Sequence, residues 1–366
     1  MSYQDSAAAL GVAIGAKTPV ILWGAPGQGK TSVLEAIAEQ TGREITTILA
    51  SIREPSDFAG LPHIVDGKTK LIAPDWAQKI NENKSSSILF FDEISTAPPA
   101  TQAAMLRVAL DRIVGDLYLG DDVSIVAAAN PPEIAADGWD LAAPMANRFC
   151  HLDWHLPAEV VRDGFATGWS PIRVPNPDPE AVATATREAR LLVAAFLNAR
   201  PDMVTVMPKA TAEAGRAYPT PRSWEMVATL LGFATAANSS ATTRRLLIAG
   251  AIGVGTAGEF LSYIDELDLP NPEDLLAKPE NFEPPTRGDK VYAIGASVLA
   301  VVKENNTPDR WKAAGRLIAV IAKSNHSDVA VAIGKRWMQI RPSDNVMPDA
   351  ESLKALAPIL KEAKII

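Results

Sequence analysis

The chain has 366 residues, 47% hydrophobic and 21% charged, an ordinary globular balance with room for about two or three domains. Its formal net charge of −8 excludes a global basic field that would draw it onto nucleic acid or anionic lipid, leaving only a local basic groove open for such contacts. The single cysteine, Cys150, excludes an internal disulfide and suits a reducing compartment.

The start, Met1-Ser2-Tyr3-Gln4-Asp5, lacks the basic opening and apolar core of a secretion signal. The longest uncharged apolar stretch, Leu246 to Gly258, falls short of the ~18 residues that span a bilayer, and its scattered glycines read as a close-packed helix. A cytoplasmic protein without membrane contact is expected.

The first apolar run, Val20–Trp23, predicts a buried strand. Directly after it comes Gly24-Ala25-Pro26-Gly27-Gln28-Gly29-Lys30-Thr31-Ser32, which contains the pattern G-x-x-x-x-G-K-T. Val33, Leu34, Ile37 and Ala38 then repeat at helical spacing up to a stop at Gly42. A strand, a glycine-rich turn and a helix N-terminus together predict a phosphate-binding loop. The glycines let backbone N–H groups curl around an anion, and the helix dipole adds positive potential there. Lys30 is placed to reach the β- and γ-phosphates of a nucleotide, and the Thr31 hydroxyl to hold Mg²⁺. The cofactors expected are therefore a nucleoside triphosphate and Mg²⁺, the motif leaving ATP and GTP both open.

Ile45–Ala50 predicts a second strand. Within Gly60–Pro74, the run Ile64 to Ile72 reads as a hairpin, because Asp66-Gly67 is a favoured two-residue turn. Ile88–Phe91 predicts a buried strand from whose C-terminal end Asp92 and Glu93 emerge, the end at which ligands bind in parallel α/β sheets. There Asp92 would hold Mg²⁺ through water or Thr31, and Glu93 would orient and polarise an attacking water. Met105, Leu106, Ala109, Leu110 and Ile113 repeat as a helix.

Val123–Ala129 is a further buried strand, ending at Asn130. If it lies beside the phosphate-loop strand, Asn130 points at the γ-phosphate and the lytic water. An asparagine also opens turns well, and Pro131-Pro132 follow it. Both readings are compatible.

Phe149–His155 predicts a last strand, with Cys150, Leu152 and Trp154 on one face and His151, Asp153 and His155 on the other. Such alternation predicts a sheet edge with one wet face. A zinc site on His151, Asp153 and His155 is weighed against plain solvation of that face, and Cys150 reads as a small core residue.

Beyond Pro157 the pattern turns helical, broken by a proline-rich link at Pro171–Pro179 and by five prolines (Pro270, Pro272, Pro279, Pro284, Pro285) within Leu269–Thr286. Residues 1–156 are expected to form an α/β core, 157–266 a helical lid and 267–366 a helical extension. Thr220 and Pro221 suit the N-cap and first position of a helix, which puts Arg222 in its first turn. A cation there opposes the helix dipole by ~0.3–1 kcal/mol, so an anionic partner would account for it. Arg148 is open to two readings, an anion ligand or an ion pair with one of the acids nearby.

The order of these parts resembles the AAA+ ATPases, and within them the MoxR-like branch. The resemblance runs through Gly24–Thr31, Asp92-Glu93, Asn130, Asn147-Arg148-Phe149 and Pro221-Arg222-Ser223-Trp224, covering roughly the first 266 residues. It implies a P-loop NTPase fold and a hexameric ring in which Arg148 is an arginine finger projecting into the neighbouring subunit's ATP site. It also implies that Arg222 is a second sensor on its own subunit's γ-phosphate, and that the Gly60–Pro74 insertion faces the central pore. Lys68 and Lys70 would there meet whatever the ring acts upon. The implied work is chaperone-like remodelling of a client or adaptor protein, one class of which carries a von Willebrand factor A domain. Members of that branch commonly continue the acidic motif as Asp-Glu-Ile-Asn-Arg, whereas this chain has Asp92-Glu93-Ile94-Ser95-Thr96. A nucleic-acid motor on the same core, and a nucleotide-gated switch with little hydrolysis, are the rival readings.

Overall fold

The computed structural model describes every residue except 1, 83–85, 132–138, 140, 209–213, 267–268, 344 and 363–366. From the N-terminus the elements are α1 (Tyr3–Gly15), β1 (Val20–Trp23), α2 (Lys30–Thr41), β2 (Glu44–Leu49), α3 (Ser56–Ala59), β3 (Leu61–Val65), β4 (Lys68–Ile72), α4 (Asp75–Glu82) and β5 (Ser87–Asp92). Next come α5 (Pro99–Asp111), β6 (Ile113–Val114), β7 (Leu117–Tyr118), β8 (Val123–Ala129), α6 (Ala143–Ala146) and β9 (Cys150–Asp153). The helical part contains α7 (Ala158–Thr167), α8 (Pro179–Ala199), α9 (Pro221–Ala236), α10 (Ala241–Ile252) and α11 (Val254–Glu266). It continues through α12 (Pro272–Ala277), α13 (Gly288–Glu304), α14 (Pro308–Ala322), α15 (Ser327–Gln339) and α16 (Ala350–Glu362).

Five of the strands form one parallel sheet in the order β2-β5-β8-β1-β9. Each of the apolar runs picked out in the sequence is one of its strands. β1 and β8 are buried along their whole length, as helix-covered parallel strands require. Register aligns Val20 with Val126 on one side and with Cys150 on the other. Because all strands run the same way, the segments that leave β1, β5 and β8 gather at one edge of the sheet, and the segments that enter them at the opposite edge.

The hairpin β3–β4 turns at Asp66 (φ 50°) and Gly67 (φ 70°), two successive left-handed residues that match the twist of a tight hairpin. Its base is tied down by the Asp116 N–H donating to the Leu71 carbonyl at 3.0 Å and the Leu71 N–H donating to Asp116 Oδ2 at 2.9 Å. Gly60 and Gly115 meet there so closely that a Cβ on Gly60 would lie 2.8 Å from the Gly115 Cα. Beyond that base both faces of the ribbon are exposed, and Ile64 is 82% exposed.

β9 is an edge strand, as its alternation suggested, but the face carrying His151 is not wet. His151 is only 8% exposed. Trp23 Nε1 donates to His151 Nδ1 at 2.9 Å, and His151 Nε2 lies 2.9 Å from the Ala146 carbonyl. The Trp23 indole stacks on the imidazole, so α6 and β1 cover a position that alternation alone assigns to solvent. With both ring nitrogens engaged, His151 has no lone pair for a metal, whereas Asp153 and His155 are exposed.

Contacts divide the chain into Met1–Thr186 with Asp202–Glu259, and Arg187–Pro201 with Phe260–Ile366. The expected boundary between residues 156 and 157 is not a division in the structure. α10 packs on α1 and β9, and a Cβ on Gly250 would fall 2.5 Å from the His151 carbonyl and 2.8 Å from Cys150 Sγ. The expected lid is thus fused to the edge of the α/β core. Cys150, fully buried beneath it, has its thiol pushed up to about 12. In the second unit, Trp311 and Trp337 stack at 4.3 Å, and each indole N–H donates to the other residue's carbonyl. Among the described residues no helix is long and apolar enough to cross a membrane.

Burial lowers the His151 pKa to about 4, while the unfolded value stays near ~6.5. The unfolded chain therefore takes up the proton first, and stability falls as pH drops from ~6.5 to about 4, by ~3 kcal/mol at most for this group. Denaturant titrations across that window should show the stability gap between the wild type and His151→Leu shrinking towards acid. A gap constant with pH would contradict the assignment.

Candidate nucleotide-binding site

The loop after β1 and the ends of β5 and β8 enclose a cavity of about 350 Å³ lined by Pro26 to Ser32, Asp92, Glu93 and Ala128 to Asn130. Three features of the chain build it. Gly24 passes so close to β9 that a Cβ would sit 2.4 Å from the Trp154 carbonyl. Gly29 adopts φ 68°, which turns the loop into the first turn of α2. Gln28 then fixes the loop to the exit of β9: its carbonyl accepts from Trp154 Nε1 at 3.0 Å, and its Oε1 accepts from the Leu156 N–H at 2.8 Å.

Lys30 is buried, with its ammonium donating to the Gly24 carbonyl at 2.6 Å, the Ala25 carbonyl at 3.1 Å and Asn130 Oδ1 at 3.2 Å. Burial lowers its pKa, and the charges of Asp92 and Glu93 act in the opposite direction. Thr31 Oγ1 donates to Asp92 Oδ2 at 3.0 Å, which brings a hydroxyl and a carboxylate together as hard oxygen donors of the kind Mg²⁺ takes. Asn130 stands between Lys30 and the acidic pair because β8 lies between β1 and β5. The turn expected at Pro131-Pro132 includes Pro132, which lies outside the described residues.

Glu93 occupies the left-handed region at φ 53°, a costly conformation for a residue with a Cβ. Ser51 Oγ donates to Glu93 Oε2 at 3.2 Å from the short turn after β2. Sequence reasoning did not single out Ser51, because nothing local marks it; only the pairing of β2 with β5 brings it to Glu93.

Arg148 and Arg222 do not line this cavity. Arg148 lies just before β9, whose first residue pairs with Val20, so it stands at the sheet edge opposite the phosphate loop. Arg222 sits in the first turn of α9, close enough to Arg148 that its charge helps hold the Arg148 guanidinium below its ordinary pKa, after the larger effect of burial. Arg222, expected at its own subunit's γ-phosphate, is thus placed outside the lining of this cavity. The entry of α9 is tied to α6 through Tyr218 and Asn147, and the charge of Arg222 is felt at Arg148, with that of Asp111 acting the other way. Among the described residues neither has a salt bridge; Arg148 donates through Nη1 to the Pro144 carbonyl, and its buried Nε has no partner.

Residues 19–149 match the family model described as AAA domain (dynein-related subfamily). The α/β sheet is an AAA+ P-loop NTPase fold. Two curated relatives are the Holliday junction branch migration complex subunit RuvB of Limosilactobacillus reuteri strain DSM 20016 and that of Limosilactobacillus reuteri subsp. reuteri strain JCM 1112. Each is 28% identical over 153 residues, 39% of this chain and 40% of the relative. The chain thus spans about two-fifths of the curated relatives it matches. A solved structure from Cytophaga hutchinsonii ATCC 33406, described as a “putative ATPase”, aligns over 72% of this chain and 88% of its own at 14% identity, with a TM-score of 0.43. The matched segment ends at the strand entry beside Arg148, so α9 with Arg222 lies outside it.

Removing the ammonium should weaken the site selectively. Lys30→Ala is expected to lower affinity for Mg²⁺-ATP by ~10–100-fold, the worth of one or two charge-assisted hydrogen bonds. Thr31→Ala should chiefly raise the Mg²⁺ concentration needed for half-maximal binding. Equilibrium titration with a fluorescent ATP analogue reads both; unchanged affinity in Lys30→Ala would remove the assignment.

Proposed function

We propose that the protein is a Mg²⁺-dependent ATP hydrolase of the MoxR-like kind, working as a ring of six copies that remodels or activates a client protein. One observation carries the ring: the phosphate loop and the arginine pair lie at opposite edges of the same sheet. A triphosphate held by one copy can meet Arg148 and Arg222 only when a second copy presents them.

In this reading the amides of Gly27 to Lys30 and the Lys30 ammonium hold the β- and γ-phosphates. Thr31, with Asp92 behind it, holds the Mg²⁺, which supplies charge neutralisation at the phosphates when bound. Glu93 orients the attacking water and accepts its proton, with Ser51 fixing the carboxylate. Asn130 places that water and the γ-phosphate relative to each other, and the neighbour's arginines neutralise the charge that develops, an effect worth ~10³–10⁵ in rate. Support for a client in the pore comes from the β3–β4 hairpin, which exposes Ile64 beside Lys68 and Lys70. A binding partner with a von Willebrand factor A domain follows from the family resemblance alone.

The segment shared with RuvB keeps a nucleic-acid motor as the second reading. Turnover stimulated by DNA and falling steeply with salt would favour it.

Specific ATPase activity should climb with protein concentration as copies assemble, and Glu93→Gln should bind ATP while losing ~10²–10⁴ of turnover. Mixing Arg148→Ala with Glu93→Gln should restore activity absent from either alone, since one supplies intact phosphate sites and the other intact arginines. Activity independent of concentration, with no recovery on mixing, would overturn the ring.

A further inference from the structure

Asn147 is 5% exposed and sits at the C-terminal end of α6, immediately before Arg148. Its side chain reaches across to the entry of α9. Asn147 Nδ2 donates to the Tyr218 carbonyl at 3.1 Å, and Asn147 Oδ1 accepts from Thr220 Oγ1 at 2.8 Å. The far side of this contact is itself braced. Thr220 caps α9 by accepting from the Ser223 N–H, Ser223 Oγ donates to the Tyr218 carbonyl at 3.0 Å, and the Tyr218 hydroxyl donates to the Ala143 carbonyl at 3.2 Å. The bonds close a loop from α6 to α9 and back, with Arg148 leaving one end and Arg222 the other.

The charge of Arg222 acts against that of Arg148, and that of Asp111 offsets it only in part, so the spacing of the two backbones that carry the arginines matters. A carboxylate between them would fix that spacing, but would also cancel the field they present. A neutral amide that donates one way and accepts the other holds the two backbones without adding charge. We propose that Asn147 is a positioning residue that locks Arg148 and Arg222 into one rigid anion clamp, so that both reach the triphosphate of a neighbouring copy together. The inference rests on the reading of the two arginines given above. Its physical basis is that a bidentate clamp works only at a set separation, and that a shift of about 1 Å in a catalytic group costs up to ~10²-fold in rate.

The test uses the full-length protein, assembled, with ATP as the probe. Asn147→Ala should lower kcat by about tenfold to a hundredfold. Affinity for ATP at the chain's own phosphate loop should stay within about twofold of wild type, because Asn147 lies at the other sheet edge. Thr220→Ser, which keeps the donor hydroxyl, should retain wild-type turnover, and Thr220→Val should lose it. In the Asn147→Ala background, removing Arg222 should cost less than in the wild type, since the clamp is already loosened. A mixture of Asn147→Ala with Glu93→Gln should exceed the summed activity of the two alone. Wild-type turnover in Asn147→Ala, or a loss that mixing does not relieve, overturns the inference. Should Asn147→Ala not fold, Thr220→Val puts the same question, because it cuts the Thr220–Asn147 bond and leaves the asparagine in place. If Arg148→Ala and Arg222→Ala both keep full turnover, the clamp reading itself fails. If they lose it while Asn147→Ala does not, only the positioning role fails.

Discussion

A parallel sheet sorts its ends, and that constraint governs the rest of this molecule. Groups at the C-terminal ends of strands collect at one edge: the phosphate loop after β1, Asp92 ending β5 with Glu93 after it, Asn130 after β8. Arg148, which precedes β9, stands at the other, where the charge of Arg222 reaches it. The length of β1 separates the two sets, at about 3.3 Å per residue. No side-chain rotation closes a gap of that kind. Under the proposed function, a triphosphate cradled at one edge would be answered by the arginines only between copies, which would make assembly part of the reaction.

Within the cradle, the inter-strand order decides who touches whom. Placing β8 between β1 and β5 sets Asn130 directly against Lys30, at 3.2 Å, and keeps the carboxylates one strand further away. The ammonium thus lies among neutral oxygens and feels Asp92 and Glu93 at longer range, which leaves its burial cost only partly offset. A lysine in that condition gains most from an incoming phosphate. Glu93, held in a left-handed backbone conformation and pinned by Ser51, is the other poised group; its strain persists because the turn after β5 is braced by Thr96 Oγ1 donating to the Glu93 carbonyl at 2.7 Å.

Much of this was legible in the residues themselves. The glycine-rich loop carries its own flanks, a β-branched apolar run before it and a helical repeat after it, so its structure is dictated locally. The Asp66-Gly67 turn is equally local. What escaped was whatever depends on which surface comes to rest on which. Period-two alternation sorted the faces of β9 correctly but could not tell that Trp23 and α6 would bury His151. Helical patterning found α9 and its cap, yet nothing in it told that α9 would dock on α6 and carry Arg222 to the far edge. Gly250 hints at a close contact only once its neighbour, the β9 backbone, is known. Ser51 and Asn147 belong to the same class, short polar residues whose partners lie 42 and 73 positions away in the chain.

The arginine pair also bears on how assembly and nucleotide would be linked. The charge of Arg222 adds to the cost of charging Arg148, and among the described residues the buried Arg148 Nε has no partner. Both costs are relieved when an anion arrives from outside the chain. If that anion is the triphosphate of an adjoining copy, each copy that binds ATP becomes a better surface for its neighbour's arginines, and each neighbour that docks tightens the grip on ATP. Thermodynamic linkage requires the two effects to be equal, tenfold for every ~1.4 kcal/mol of coupling. Hydrolysis and loss of the γ-phosphate would then weaken the interface by the same amount, and a ring built this way can convert the state of one site into movement at the contact with the next.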